Sequence, residues 1–330
     1  ELIRIKNEYM ENRGYSNYRM TYEQYMNNIY IPYYKTTVSK HTFSIRRKIL
    51  ETIRDRFSNT MLRSISLEQV QNYRMWLLSD EEDGGAGFSQ SYASLIFGTF
   101  RKSLDYALEM GYIETNISKK AKAIPKGKAV VPYWTKEEFE AVISKIYIKN
   151  IYEHLNFVML WLYFTTGIRV NEGCALKWCD IDFKNKRLRI HNMLIINTKQ
   201  DWYINSYTKT DAGKRTITLD KDTLDILKKW KKQNPNTKYI FENEFKKPIP
   251  STLPRKWLIK IVEGSDLRPI KIHGFRHTHA SLCFDAGMTL KQVQHRLGHS
   301  DLKTTMNVYT HITKQAKDDI GERFASYIDF

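Results

Sequence analysis

Helix-start signals recur along the first third of this chain, and each opens a run of apolar side chains at helical spacing. Thr21 precedes "YEQYMNNIYIPYY", Ser39 precedes "KHTFSIRRKILETIRDRF", and Ser66 with Gln69 makes a capping-box pattern ahead of "VQNYRMWLL". A hydroxyl at such a position accepts a hydrogen bond from one of the first free N–H groups of a helix, so these residues mark starts. A fourth helix runs over about 89–110, where Ile96, Phe100, Leu104 and Ala107 line one face. Four helices with no convincing strand among them predict a helical domain over 18–115. An extension at 1–17 precedes it, and "EEDGGAG" (81–87) is its flexible turn.

The stretch "SKKAKAIPKGKAVVP" (118–132) carries five lysines, two prolines and a glycine, with little that could enter a core. It predicts a basic linker over 116–132, either a solvated hinge or a strap whose Lys119, Lys120, Lys122, Lys126 and Lys128 follow phosphates on a duplex. A second domain over 133–330 opens on another capping box, Thr135 with Glu138. Its helices are interrupted by strand-like runs at 187–195, 202–206 and 214–219, with "TDAG" (210–213) as a tight turn, and helix returns from 221 onward. The expected fold class is therefore mainly α with a small β-sheet (α+β), in two domains.

Charge narrows the partners. Lys and Arg total 53 against 36 Asp and Glu, a formal net charge of +17, and 21 tyrosines are interleaved with the basic residues. This combination points to a polyanion, nucleic acid above all. The longest apolar run, "LNFVMLWLYF" (155–164), is far short of the roughly 20 residues of a membrane span, so a soluble protein with no membrane partner is expected. Cys174, Cys179 and Cys283 are odd in number and lack CxxC spacing, which predicts a reducing, cytoplasmic setting without a disulfide framework or zinc ribbon. The chain opens on Glu1 without a signal segment, so the native N-terminus is expected upstream or removed.

"HGFRHTHA" (273–280) holds the densest group of titratable side chains. His273 and His277 share a helix face as zinc ligands do, but the general-base Glu of an HExxH site is missing and Cys283 is a distant third ligand, so no metal is expected. Arg276, three residues from His273, fits an anion site better, because its planar fork matches phosphate oxygens. His277 and His279 are read as structural. In "TTGIRVNEGCALKWCDID" (165–182), Glu172 stands three residues after Arg169, where it could hold the guanidinium in one rotamer; "LGHSDLKTTMNVYTHI" (297–312) places His299 ten residues before Tyr309.

Taken in order, "TTGIRVNEGCAL", "TKTDAGKRTITL", "HGFRHTHASL" and "LGHSDLKTTMNVYTH" resemble the tyrosine recombinase, or phage-type integrase, family, and the likeness covers about 18–320. The resemblance implies that Arg169 and Arg276 are the arginine pair, Lys209 the β-hairpin lysine, His273 and His299 the two histidine positions, Tyr309 the nucleophile and Glu172 the acidic support of Arg169. Lys199 and Lys214 are neighbouring alternatives to Lys209. Asn171 and Cys174 depart from the small apolar residues commoner there, and no N-terminal arm-binding domain is visible.

Charge grows on a phosphodiester under attack, so fixed cationic donors at its non-bridging oxygens are the main need, with histidines to move the proton of a tyrosine whose free pKa is about 10. The resemblance implies a 3′-phosphotyrosine intermediate, double-stranded DNA bearing specific attachment sites as partner, and no cofactor. It further implies four protomers acting through a Holliday junction, an accessory DNA-bending or excision factor, and a bacterial, nucleoid-associated setting. The tail "IGERFASYIDF", with Phe324, Tyr327, Ile328 and Phe330, is expected to dock on a neighbouring protomer rather than its own domain. Two other readings compete: a type IB topoisomerase, and a non-catalytic helix-turn-helix protein built on 289–311 with Gly298 in its turn.

Overall fold

The computed structural model describes residues 19–127, 132–198, 200–206, 213–263, 265 and 267–306. The chain divides into two units, Glu1–Ala129 and Val130–Phe330. In the first, α1 is one continuous helical run with an unusual middle: Tyr22–Tyr25 is α-helical, Met26–Tyr30 is a π-helical turn, and Ile31–Thr37 is α-helical again. Pro32 explains the interruption. It has no N–H to give and its ring would crowd the carbonyl four residues back, so the widened turn, in which Ile31 N–H reaches Met26 O, takes up the misfit. Helices α2 (Lys40–Arg56), α3 (Leu67–Leu78) and α4 (Gln90–Glu109) follow. Thr21, Ser39 and Ser66 cap the expected starts, and Gln24 and Gln69 close capping boxes.

Aromatic rings dominate this core. Phe57 stacks on Phe100 at 4.8 Å, and Tyr22, Tyr25 and Tyr73 are fully buried around them. A buried hydroxyl needs a partner, and Ser103 on α4 supplies two. Ser103 Oγ donates to Phe100 O and receives Tyr22 Oη at 2.6 Å, while Ser103 O accepts from Tyr25 Oη at 2.7 Å. The 81–87 turn is tied back to the end of α3: Ala86 N–H reaches Trp76 O and Gly87 N–H reaches Ser79 O.

The expected linker begins too early. Asn116 caps a 3₁₀ turn (Ile117–Lys120), Ser118 is buried, and Ala121 and Ile124 enter the first unit's core. Two apolar side chains among lysines join that core, which composition alone does not reveal. Lys119 pairs with Asp105 at 2.7 Å, Lys120, Lys122 and Lys126 are exposed, and Lys128 lies outside the described residues.

In the second unit, helix α5 (Lys136–Ile143) is capped by the Thr135–Glu138 box. Helix α6 (Ile151–Thr166) is apolar on most of its surface, with Leu155, Val158, Met159, Leu160, Leu162 and Tyr163 all buried, and so it runs through the middle of the core. Helix α7 (Val170–Ala175) follows, then strands β1 (Ile181–Asp182), β2 (Arg187–Ile190), β3 (Asn192–Ile196), β4 (Trp202–Ser206) and β5 (Arg215–Thr218). The single run expected over 187–195 is two strands in different sheets. β2 pairs between β1 and β5, whereas β3 pairs with β4, and the break falls at His191. Most of the "TDAG" turn lies outside the described residues. Helices α8 (Lys221–Gln233), α9 (Thr252–Val262), α10 (Ile272–Asp285) and α11 (Leu290–Leu297) complete the unit. Among the described residues no helix is long and apolar enough to cross a membrane.

The Ser103 arrangement is testable. Ser103→Ala strips Tyr22 of its buried partner and should lower stability in urea by about 1–3 kcal/mol, whereas adding Tyr22→Phe to it should recover part of that loss.

Candidate active site

Helix α10 carries "HGFRHTHA" with its apolar side against the core. Phe275 meets Trp134, Phe139 and Phe164, and Thr278 Oγ1 accepts the Trp134 N–H at 3.1 Å. That packing leaves His273, Arg276 and His277 on the other side, where the ends of two further helices arrive.

Both of those helices stop on a left-handed glycine: Gly167 after α6, at φ +62°, and Gly298 after α11, at φ +66°. The last carbonyls of a helix lack internal partners and carry the negative end of its dipole, so they suit cations. Arg276, only 3% exposed, donates from Nη1 to Gly167 O at 2.8 Å and from Nη2 to Leu297 O at 2.6 Å. Arg169 donates from Nη2 to Gly298 O at 3.0 Å. The two arginines expected to act together are thus seated on adjacent carbonyls of one helix end. Gly167 has a steric role as well: a Cβ there would come within 2.7 Å of His279 Cδ2 and 2.9 Å of Leu297 Cδ2.

Glu172 contacts Arg169 and a second arginine. It is fully buried. Its Oε2 accepts the Arg169 N–H and its Oε1 accepts Arg169 Nη1, both at 2.8 Å. The same carboxylate accepts Arg215 Nη1 at 3.1 Å and Nη2 at 2.8 Å. Arg215, buried on the inward side of β5, also donates from Nε to Arg296 O at 2.8 Å. Neither Arg215 nor Arg296 was expected in the site. The available signal was the period-2 pattern of "RTIT", which puts Arg215 on the same face of the strand as Ile217, the face that is buried.

His299 follows the Gly298 turn, and its Nδ1 lies 2.8 Å from Oγ1 of Thr305, a fully buried hydroxyl that the sequence did not single out. Desolvation, reinforced by Arg276, Arg169, His277 and Arg215, pushes the His299 pKa down to about 3, so the free protein holds it neutral. Desolvation and then Arg276 and Arg169 lower His273 in the same direction. His277, expected to be structural, packs edge to face on His273 and acts on the titration of His299, so it belongs to the rim of this cluster. His279 lies buried behind it. Its Nδ1 faces Phe164 O at 3.0 Å and its Nε2 accepts Arg296 Nε at 2.8 Å, which fixes a neutral ring protonated on Nδ1.

Among the described residues no group of three or more His, Cys, Asp or Glu could hold an ion, and Cys283 contacts His279 rather than His273 or His277. Lys209, Lys199 and Tyr309 lie outside the described residues, and Lys214 is exposed beside Arg215.

An arginine pair on a helix end, an acid behind it and neutral histidines beside it form a cradle for one anion. Residues 133–316 match the phage integrase family. The chain belongs to the phage integrase family of tyrosine site-specific recombinases. It is 25% identical over 282 residues to the ICEBs1 integrase of Bacillus subtilis (strain 168), an alignment covering 82% of this chain and 73% of that protein. The fold matches a Tn1549 transposon integrase in complex with transposon right end DNA, with a TM-score of 0.76 at 19% identity, over 92% of this chain and all of that one. It also matches a lambda integrase tetramer bound to a Holliday junction, with a TM-score of 0.67 at 19% identity, over 91% of this chain and 85% of that one.

Acid should loosen this recombinase from behind its cradle. Desolvation, and then Arg296, takes the folded His279 pKa down from 6.5 to about 3, so between those values the unfolded chain binds the extra proton. Its stabilising share is therefore complete above pH 6.5 and is lost as pH falls toward 3. Going from about pH 7 to about pH 5 should remove about 2 kcal/mol through this residue, and urea unfolding of His279→Gln should lose correspondingly less.

Proposed function

We propose that the protein is the recombinase of a mobile element, cutting and rejoining double-stranded DNA at specific attachment sites through a 3′-phosphotyrosine intermediate. The seating of Arg169 and Arg276 on the Gly298 and Leu297 carbonyls carries this reading, because it brings two guanidiniums together at one helix end. The scissile phosphate occupies that place, and its negative charge is stabilised there as the pentavalent transition state forms.

Tyr309 Oη attacks phosphorus, and the bond from phosphorus to the 5′ oxygen breaks. The tyrosine proton passes to a histidine, His299 or His273. Desolvation and then the arginine field lower both, holding His299 neutral in the free protein, and a bound phosphate offsets the arginine part of that effect. Lys209, on the segment between β4 and β5, protonates the departing 5′ oxygen. The phosphotyrosine ester keeps the energy of the phosphodiester, so the 5′ hydroxyl of another strand reverses the attack and completes exchange. Four protomers working through a Holliday junction carry out the two rounds, with the tail bearing Phe324, Tyr327, Ile328 and Phe330 linking neighbours and an accessory DNA-bending or excision factor setting direction. The net charge of +17 and the exposed Lys120, Lys122 and Lys126 support binding along phosphates in a nucleoid-associated setting.

The test is a nicked or suicide attachment site. The protein should form an SDS-resistant adduct that maps by peptide sequencing to Tyr309 on a 3′ phosphate. An adduct that persists undiminished in Tyr309→Phe would contradict the nucleophile. Binding should also weaken steeply with added salt, by about 10-fold or more between low and physiological ionic strength.

A further inference from the structure

Arg296 is half-buried behind the cradle, and its guanidinium joins the elements from which the cradle is built. It sits on α11 and donates from Nε to His279 Nε2 on α10 at 2.8 Å. Its Nη1 reaches Thr218 O at the end of β5 at 3.2 Å, and its Nη2 reaches Thr165 O in the last turn of α6 at 3.3 Å. Its own carbonyl accepts Arg215 Nε, and the next two carbonyls along the chain, Leu297 O and Gly298 O, seat Arg276 and Arg169. His279 completes the set by anchoring to Phe164 O on α6.

We infer that Arg296 and His279 are a positioning pair, which sets the α11 end against α6, α10 and β5 and so aims Arg169 and Arg276 at the phosphate. This rests on the recombinase reading and adds to it residues that never touch DNA. Geometry makes the case. The carbonyls that hold the two arginines have no side chain of their own to orient them, so their direction is that of the Leu297–Gly298 turn. Arg296 immediately precedes that turn, and its one side chain reaches all three neighbouring elements. A shift of about 1 Å in a group that aims at a reacting centre costs about 100-fold in rate. Lysine cannot replace this arginine, because a single ammonium cannot span an imidazole nitrogen and two carbonyls lying in different directions.

The experiment compares Arg296→Lys, His279→Asn and His279→Gln with the unaltered full chain. Two quantities are read: affinity for a duplex attachment site, and the single-turnover rate of covalent adduct formation on a suicide site. Arg296→Lys should keep its affinity within about threefold and lose about 100-fold in adduct rate. The histidine variants separate positioning from general stability. Asn keeps a donor for Phe164 O but loses the acceptor for Arg296, and should fall by a similar factor; Gln keeps an acceptor at the Nε2 position and should retain at least about a third of the rate. A thermal melt of each variant confirms the folded fraction at the assay temperature. Adduct rates within about threefold of the unaltered protein for folded Arg296→Lys and His279→Asn overturn the proposal. So does an equal loss in Asn and Gln, which would mark His279 as packing only. Should Arg296→Lys fail to fold, the Asn and Gln pair decides alone. Failure of the unaltered chain to form any adduct would instead overturn the recombinase reading itself.

Discussion

One buried carboxylate organises this active site. Glu172 is removed from water and shared between Arg169, which reaches toward the cleft, and Arg215, which is as buried as the acid itself. Burying charges is costly, and such a cluster survives only when its geometry is good and its remaining hydrogen bonds are met. Here both oxygens are used twice, and one of those four bonds comes from the backbone N–H that starts α7. The carboxylate therefore ties a helix start to a strand through charge, and Arg215 passes the tie on to α11 through the Arg296 carbonyl.

The second constraint is the left-handed glycine that ends α6 and α11. Helix ends leave carbonyls without partners, and in most proteins these face water. In this chain three of them, at Gly167, Leu297 and Gly298, are turned onto the two guanidiniums. The arginines gain hydrogen bonds that hold them in place but not an equal opposing charge. Desolvation, reinforced by the positive potential of Arg276 and Arg169, keeps His299 neutral and lowers His273 in the same direction. Structure and chemistry are joined at this point: carbonyl dipoles seat both guanidiniums, and the carboxylate that Arg169 meets is shared with Arg215.

Much of this was legible beforehand. Hydroxyl caps at Thr21, Ser39, Ser66 and Thr135 located helix starts because capping is a local interaction between residues three apart. The i, i+3 spacing of Arg169 with Glu172 likewise showed a pair that the fold forms. Other features depended on distant partners. The division of 187–195 into two strands follows from which strand each half meets, β5 or β4, and nothing local distinguishes them. Ala121 and Ile124 looked like linker because their pocket is made by other helices. Arg215 and Arg296 were passed over as two more basic residues in a basic chain, since their importance lies in contacts with Glu172 and with backbone carbonyls far away in sequence. The side of α10 on which His277 meets His273 likewise depends on how Phe275 packs, which is not a local property.

The central claim is that Glu172 and Arg215 act as one unit in setting the cradle. The direct measurement is a double-mutant cycle, Glu172→Gln and Arg215→Met alone and together, read as the rate of covalent adduct formation on a suicide site in protein shown to be folded. If the pair acts as a unit, the double variant should lose less than the sum of the single losses, with a coupling of about 1.5 kcal/mol or more. Losses that add to within about 0.5 kcal/mol would show that the two residues act independently and would contradict the account.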